Sequence, residues 1–146
     1  MKRLLPLFGL VFVFAAACGQ KSEIYTTPNG AIDGYDPVAY FTEGKPVVGQ
    51  ADLSTVWKDQ VWRFASQKNK DLFVANPEKY APQYGGYCAY GMAGGYKAKT
   101  EADAWAIVND KLYLNYNKQV QQDWLKEKSE MIEKADKNWP EVSKKQ

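Results

Sequence analysis

Short apolar segments of the chain come in two pairs, and a few polar turn residues separate the members of each pair. Residues 53–57 and 61–65 form the first pair, and residues 104–108 and 111–116 form the second. β-Branched and aromatic side chains dominate all four segments, which is typical of antiparallel hairpins. A helix is predicted after each hairpin. Its N-cap would be a side chain that accepts backbone hydrogen bonds, Ser66 in the first case and Asn117 in the second.

The two hairpin-helix segments align without a gap at the offset that separates Ser66 from Asn117. Identity between them is low, so common ancestry is not inferred, but the shared order of elements predicts two similar units. Equivalent positions in this alignment are Val56-Trp57 and Ile107-Val108, Asp59 and Asp110, Trp62 and Tyr113, Ser66 and Asn117, and Phe73 and Trp124. The fold class expected is α+β, with a small antiparallel sheet built from the two units and helices packed on it. Trp57, Trp62 and Phe64 are not expected on one face without a β-bulge.

Three further elements complete the prediction. Asp36 is expected to cap a short helix that has Pro37 in its first turn. A last helix is predicted over residues 129–137, ending before Trp139-Pro140. The Gly/Tyr-rich residues 84–96 are interpreted as the connection between the two units, with a ligand-binding loop as the alternative interpretation. No phosphate-binding glycine spacing occurs there.

The N-terminus has the pattern of a secretory signal peptide over residues 1–17. Lys2 and Arg3 are followed by the apolar run LLPLFGLVFVFAAA, which is too short for a membrane-spanning helix. Residues 18–30 are then predicted to be a lipid-anchored tether, residues 31–140 the folded domain, and residues 141–146 a frayed tail.

Cys18 is the predicted lipidation site. The residues before it resemble the bacterial lipobox, although Ala15 stands where Leu is typical. Cleavage by ordinary signal peptidase after the same small residues is the alternative. Lipidation predicts a protein attached to a membrane, and Gly19 after the cysteine indicates an outer-membrane lipoprotein that faces the periplasm.

Composition excludes several classes of function. The chain has 146 residues, which is the size of one domain, and without Lys2 and Arg3 its basic residues equal its 17 acidic ones. That balance argues against nucleic-acid binding. The chain has no histidine, which excludes His-based acid–base catalysis, nucleophile–His pairs and His metal ligands. We therefore expect a protein that is not an enzyme.

The combined motifs resemble the YHS-domain proteins, specifically their secreted branch. The residues that carry the resemblance are 34–41 (GYDPVAYF), Trp62, Phe64, Ser66, Asn69, Phe73, residues 76–82 (NPEKYAP) and residues 84–89 (YGGYCA). The resemblance covers about residues 32–93, and the remainder up to Pro140 is similar to the C-terminal extension of that branch. The resemblance implies heavy-metal handling, often beside copper transporters.

This chain lacks most of the ligands on which that role depends in the family. Ala39 stands where the family has a cysteine after Asp-Pro-Val, Ala65-Ser66 replace another cysteine, and the histidine of the family name is absent. Cys88 remains, with Met92 four residues later, as a pair of sulfur ligands suited to Cu(I). Asp36, Met131 or a second molecule would have to complete the site. Burial of Cys88 as a small apolar residue is the competing interpretation.

Two functions therefore stay open. One is an accessory module of the cell envelope that binds or handles metal through Cys88, Met92 and Asp36, with a copper ion as the candidate cofactor and an envelope protein as a candidate partner. The other is a metal-free module that binds a small apolar ligand or a protein through a Tyr/Trp-rich surface that includes Tyr84, Tyr87 and Tyr90. A thiol-dependent redox enzyme would require an exposed Cys88 of low pKa.

Overall fold

The computed structural model describes residues 22–145, and these residues form an α+β fold, as the sequence predicts. The strands are β1 (Thr26–Thr27), β2 (Gly30–Ala31), β3 (Gln50–Trp57), β4 (Gln60–Phe64), β5 (Trp105–Val108) and β6 (Lys111–Leu114). The helices are α1 (Ala39–Thr42), α2 (Gln67–Ala75), α3 (Pro77–Tyr80), α4 (Ala89–Ala93), α5 (Lys118–Lys126) and α6 (Lys128–Val142). Two 3₁₀ turns lie at Ile32–Gly34 and Gln83–Gly86.

The two hairpin-helix units have the predicted order and local geometry. The turn of the first hairpin, at Lys58 and Asp59, has two residues with positive φ angles of 50° and 63°. The turn of the second hairpin, at Asn109 and Asp110, has almost the same angles, 50° and 59°. Both are the left-handed two-residue connections that match the twist of antiparallel strands. After each hairpin the predicted residue caps the helix, because the Ser66 and Asn117 side chains accept hydrogen bonds from backbone N–H groups three residues later.

Each helix covers its own hairpin through an equivalent pair of aromatic rings. The rings of Trp62 and Phe73 have centroids 5.2 Å apart, and those of Tyr113 and Trp124 have centroids 5.3 Å apart. Trp57 also lies on the inner face, 5.7 Å from Trp62. The first hairpin does contain a register shift of the kind expected at a β-bulge, but it lies in β3 between Gln50 and Ser54 and not between Trp57 and Trp62. Trp57 is opposite Gln60, which shares a strand face with Trp62, so the two-residue turn is sufficient to bring these two rings to one side.

The strands form three separate two-stranded antiparallel sheets instead of one continuous sheet. Strand β6 has side chains buried on both of its faces. Leu112 and Leu114 pack in the core cluster that contains Trp62 and Phe73, while Tyr113 packs in the cluster that contains Trp124. Side chains on opposite faces of β6 therefore belong to different hydrophobic cores, and the strand lies between the two. Among residues 22–145, no helix is long and apolar enough to span a bilayer.

The predicted tether, as far as the structure describes it, is part of the fold. Residues Thr26–Thr27 pair with Gly30–Ala31, and Ile24 is buried in the core. The Tyr25 N–H donates to the carbonyl of Gly85 at 2.8 Å. The boundary predicted at residue 30 is therefore wrong for residues 22–30, since these contacts join distant parts of the chain. The predicted signal peptide and Cys18 lie outside the described residues.

The C-terminal helix also continues beyond the predicted end. Helix α6 includes Pro140 and reaches Val142, which is buried. Lys97 Nζ donates to the carbonyl oxygens of Ser143 and Lys145, at 3.3 Å and 2.7 Å. A cation that binds the last carbonyls stabilises the end of a helix. The frayed tail predicted from residue 141 is therefore wrong over residues 141–145.

Candidate functional site

Asp36 is fully buried, and its carboxylate accepts four hydrogen bonds. Oδ1 accepts from the N–H groups of Val38 and Ala39, at 2.8 Å and 3.2 Å, at the start of α1. The N-cap position of α1 is Val38, two residues later than the predicted Asp36, and Pro37 precedes the helix. Oδ2 accepts from the N–H of Ala65 and from the Asn69 side-chain amide, both at 2.8 Å. We call Asp36 and its four donor residues the Asp36 cluster. It connects α1 to the end of β4 and the start of α2, and it leaves the carboxylate little capacity for a metal ion.

Cys88 is buried and serves as a hydrogen-bond partner at the start of α4. Its Sγ accepts from the N–H groups of Tyr116 and Gly91, at 3.2 Å and 3.5 Å, and lies 3.6 Å from Oδ1 of Asn115. The same Oδ1 accepts from the N–H of Tyr90. Burial raises the pKa of the Cys88 thiol, although the backbone N–H groups oppose that shift. The residue is therefore a neutral thiol at neutral pH, joining α4 to the end of β6.

The other predicted metal ligands do not complete a site around Cys88. Met92 is fully buried among apolar and aromatic side chains. Asp36 and Cys88 share no hydrogen-bond partner. Within residues 22–145, no group of three or more Cys, Asp or Glu residues is placed to hold a metal ion. Burial of Cys88 and the four hydrogen bonds of the Asp36 carboxylate make these two residues poor ligands for the metal that the family resemblance implies.

The three tyrosines predicted to bind a ligand have different environments. Tyr84 is buried, and its hydroxyl donates to Asp136 at 2.8 Å. Tyr87 is also buried, but its hydroxyl reaches the carbonyl of Ser22 at 2.7 Å and its ring lines a cleft. Tyr90 is partly exposed on α4. Of these, Tyr87 is the one that lines a cleft at the N-terminal end of the described chain.

That cleft has a volume of about 560 Å³ and lies beside the first described residues. We call it the lysine cleft. Its lining residues are Ser22, Tyr25, Thr26, Gln60, Tyr87, Lys97 and Lys99. The rings of Tyr25 and Tyr87 have centroids 5.9 Å apart, and Nζ of Lys97 lies 5.4 Å from the Tyr87 ring centroid. The two lysines are the charged residues in this lining, and Lys99 is exposed.

Sequence reasoning missed the lysine cleft apart from Tyr87. Its residues come from four distant parts of the chain, around positions 22–26, 60, 87 and 97–99. The local pattern at each position predicts only strand, turn or loop. Docking of the N-terminal residues onto Gly85 brings them together.

Comparison with known proteins identifies part of this chain. Residues 38–84 match the family model described as the YHS domain. The chain contains a YHS domain. No curated protein and no solved structure matches the chain.

Several residues of the segment that matches the YHS domain stabilise the fold. Ser66 and Asn69 both lie inside the matched segment. Ser66 caps α2, and the Asn69 side chain donates to the Asp36 carboxylate. Trp62 and Phe73, also inside it, form the ring pair of the first unit. Cys88 lies beyond residue 84, outside the match. The family match therefore includes the residues that build the first unit and does not include Cys88.

We expect the protein to lose stability at alkaline pH because several of its tyrosines are buried. Burial raises the pKa of Tyr25, Tyr40, Tyr84, Tyr87 and Tyr113. Above about pH 10 the unfolded chain releases these phenolic protons while the folded chain retains them, so the unfolded state binds fewer protons. The free energy of unfolding should then fall with rising pH, by up to about 1.4 kcal/mol per pH unit for each fully protected tyrosine.

Absorbance at 295 nm measures the phenolate directly, and urea unfolding at pH 9 and pH 11 measures the loss. Tyr113→Phe removes one buried phenol, so it should reduce the loss between the two pH values. Ionisation of all 10 tyrosines near pH 10 in the native state would contradict the prediction.

Proposed function

We propose that this YHS-domain protein is a non-enzymatic, metal-free binding module of the bacterial cell envelope. Its ligand would be a small anion that carries an aromatic or other flat apolar group, and the lysine cleft would be the binding site. The protein would be exported, lipidated at Cys18, and held at the periplasmic face of the outer membrane. This is the second of the two functions that the sequence leaves open, with the ligand changed from apolar to amphipathic.

The lysine cleft is the observation that carries the proposal. A volume of about 560 Å³ is within the range of small-molecule sites, and few such sites occur in one domain. The Tyr25 and Tyr87 rings offer an apolar wall, while the exposed Lys99 ammonium offers a positive charge at the rim. Gln60 and Thr26 add polar groups that could orient a ligand. A flat ring with a carboxylate or sulfonate matches this combination of surfaces.

The environment of Cys88 argues against the copper and redox alternatives. Metal binding and nucleophilic attack both use the thiolate, and burial raises the pKa of this thiol. Cys88 is also only 2% exposed, so a metal ion or a substrate could not reach its sulfur without opening the fold. A thiol nucleophile would also require a nearby base, and the chain has no histidine.

The proposal predicts that 2-naphthoate, a flat aromatic carboxylate, binds in the lysine cleft. In ¹H–¹⁵N spectra the amides of Tyr25, Gln60 and Lys99 should shift together with one saturable binding curve. Lys99→Glu reverses the charge at the rim and should weaken binding by at least about tenfold, because the carboxylate would then meet a like charge. Lys118→Glu makes the same charge change at an exposed residue outside the cleft and should leave the affinity unchanged.

Shifts that spread over the surface, or equal affinities of the two variants, would refute the cleft as the site. Titration with Cu(I) under reducing conditions tests the alternative. The wild-type chain should not form a one-to-one complex against a chelating competitor. A one-to-one complex that is lost in Cys88→Ser would restore the copper function.

A further inference from the structure

We infer that the lysine-cleft end of the domain lies on the membrane surface, against anionic phospholipid headgroups. The inference rests on the lipid anchor of the proposed function and not on the identity of the ligand in the cleft. It assigns an orientation to the tethered domain, and it makes Lys99 and the C-terminal lysines the contacts with lipid.

The length of chain between the anchor and the fold restricts the orientation. Three residues, Gly19, Gln20 and Lys21, connect Cys18 to Ser22. Fully extended, the four steps from Cys18 to Ser22 span at most about 14 Å. A domain of this size has a radius of gyration of about 14 Å. Ser22 therefore stays within one such radius of the lipid surface, and a face on the far side of the domain cannot reach the headgroups.

The start of the described chain is held firmly, so the tether does not lengthen by unwinding residues 22–25. Ile24 is 2% exposed, and the N–H of Tyr25 donates to the carbonyl of Gly85 at 2.8 Å. The Tyr87 hydroxyl donates to the carbonyl of Ser22 at 2.7 Å. Ser22 consequently has a fixed place at the edge of the lysine cleft.

A chain of contacts places the C-terminal end beside the same cleft. Ser22 binds Tyr87, the Tyr87 ring contacts the Lys97 ammonium, and Lys97 binds the carbonyl oxygen of Lys145 at 2.7 Å. Lys144 and Lys145 are exposed. The short tether thus brings the exposed Lys99, Lys144 and Lys145 toward the lipid together.

The distribution of charge favours contact of the lysine-cleft end with the membrane. The lysine cleft has only lysines among its charged lining residues, whereas the charged lining residues of another cleft are Asp33, Glu101 and Asp103. Anionic headgroups attract basic side chains within about 10 Å of the surface and repel carboxylates. With the tether holding Ser22 near the membrane, the lower-energy orientation puts the lysines toward the lipid and the acidic cleft toward water.

Paramagnetic relaxation by a gadolinium-chelate lipid tests the orientation on the full acylated chain. The chain is reconstituted in nanodiscs of phosphatidylcholine with about 30% phosphatidylglycerol. Amides of Tyr25, Lys99 and Lys145 should show relaxation enhancements at least threefold larger than those of Glu43 and Lys68. The latter two line a separate cleft beside α1 and α2.

Charge-reversal variants distinguish the effect of the lysines on the orientation from the effect of the tether. Lys99→Glu with Lys144→Glu should reduce the enhancement ratio to below half of the wild-type value in phosphatidylglycerol nanodiscs. Lys45→Glu with Lys68→Glu makes the same net charge change at exposed residues outside the lysine cleft and should leave the ratio unchanged.

The outcomes distinguish the anchor from the orientation. Mass spectrometry that finds Cys18 without acyl chains, in a chain that does not co-float with vesicles, overturns the anchor and the orientation together. An acylated, co-floating chain with equal enhancements on all faces overturns the orientation alone. Enhancement ratios that are the same in nanodiscs with and without phosphatidylglycerol would show that anionic headgroups do not orient the domain, and this also overturns the inference.

Discussion

Asp36→Ala should lower the free energy of unfolding by about 3–5 kcal/mol, which makes it one of the two most damaging substitutions that we expect. The change leaves four hydrogen-bond donors, on Val38, Ala39, Ala65 and Asn69, without their acceptor. These donors are buried or half-buried, so water cannot replace the carboxylate freely. Urea unfolding followed by tryptophan fluorescence measures the loss.

Two further variants show whether the hydrogen bonds of Asp36 are responsible. Asp36→Asn keeps the size of the side chain but directs an NH₂ group at one pair of donors, so its loss should fall between those of the wild type and Asp36→Ala. Asp33→Ala removes an exposed carboxylate that accepts from Thr27 and Asn29 at a residue with a φ of +56°, and it should cost no more than about 2 kcal/mol. Similar losses for Asp36→Ala and Asp33→Ala would show that the Asp36 cluster is not a principal source of stability.

Gly85→Ala should destabilise the fold by about 3 kcal/mol or more, because it strains the backbone and displaces the N-terminal residues. Gly85 has a φ of +63°, which costs an L-residue about 1–2 kcal/mol. A Cβ there would lie 1.9 Å from the carbonyl oxygen of Glu23. Residues 22–25 would have to move, which breaks the hydrogen bond from Tyr25 and exposes Ile24. Hydrogen exchange at residues 24–31 and urea unfolding measure the two effects.

Gly44 supplies a matched control, since it has a φ of +66° and no atom lies within 4 Å of the place that a Cβ would take. Gly44→Ala therefore carries the backbone strain without the steric clash and should cost only about 1 kcal/mol, with unchanged exchange at residues 24–31. Equal losses for the two alanine variants would mean that the approach of Glu23 to Gly85 is easily relieved. That result would also weaken the evidence that residues 22–25 have a fixed position, on which the inferred membrane orientation depends.

The candidate site was less predictable from sequence than the fold. Cys88, Met92 and Asp36 carry atoms that bind metals, but burial and hydrogen bonding decide whether those atoms are available. Each carboxylate oxygen of Asp36 accepts two hydrogen bonds, and the partners of Oδ2 lie 29 and 33 positions away in the sequence. A single sequence gives no sign of such partners. The lysine cleft was missed for the same reason, because separate segments contribute its residues.

The sequence by itself determined the two hairpin-helix units. Their two-residue turns, the Ser66 and Asn117 caps, and the Trp62–Phe73 and Tyr113–Trp124 pairs all depend on residues close together in the chain. Local hydrogen bonding and strand alternation determine such features, so a pattern of residue types is sufficient to predict them.

Only the tertiary structure decided where the ends of the described chain lie and whether Cys88 is accessible. The sequence of residues 22–30 is typical of a tether, but in the structure the N–H of Tyr25 donates to the carbonyl of Gly85 and holds this segment on the fold. Helix α6 continues through Pro140, and Lys97 binds the carbonyl oxygen of Lys145 near its C-terminal end. Cys88 becomes an inaccessible thiol because Gly91 and Tyr116 bind its sulfur inside the fold. These outcomes depend on contacts between segments far apart in sequence, whose free energies outweigh the local preferences of Pro140 and of the polar N-terminal residues.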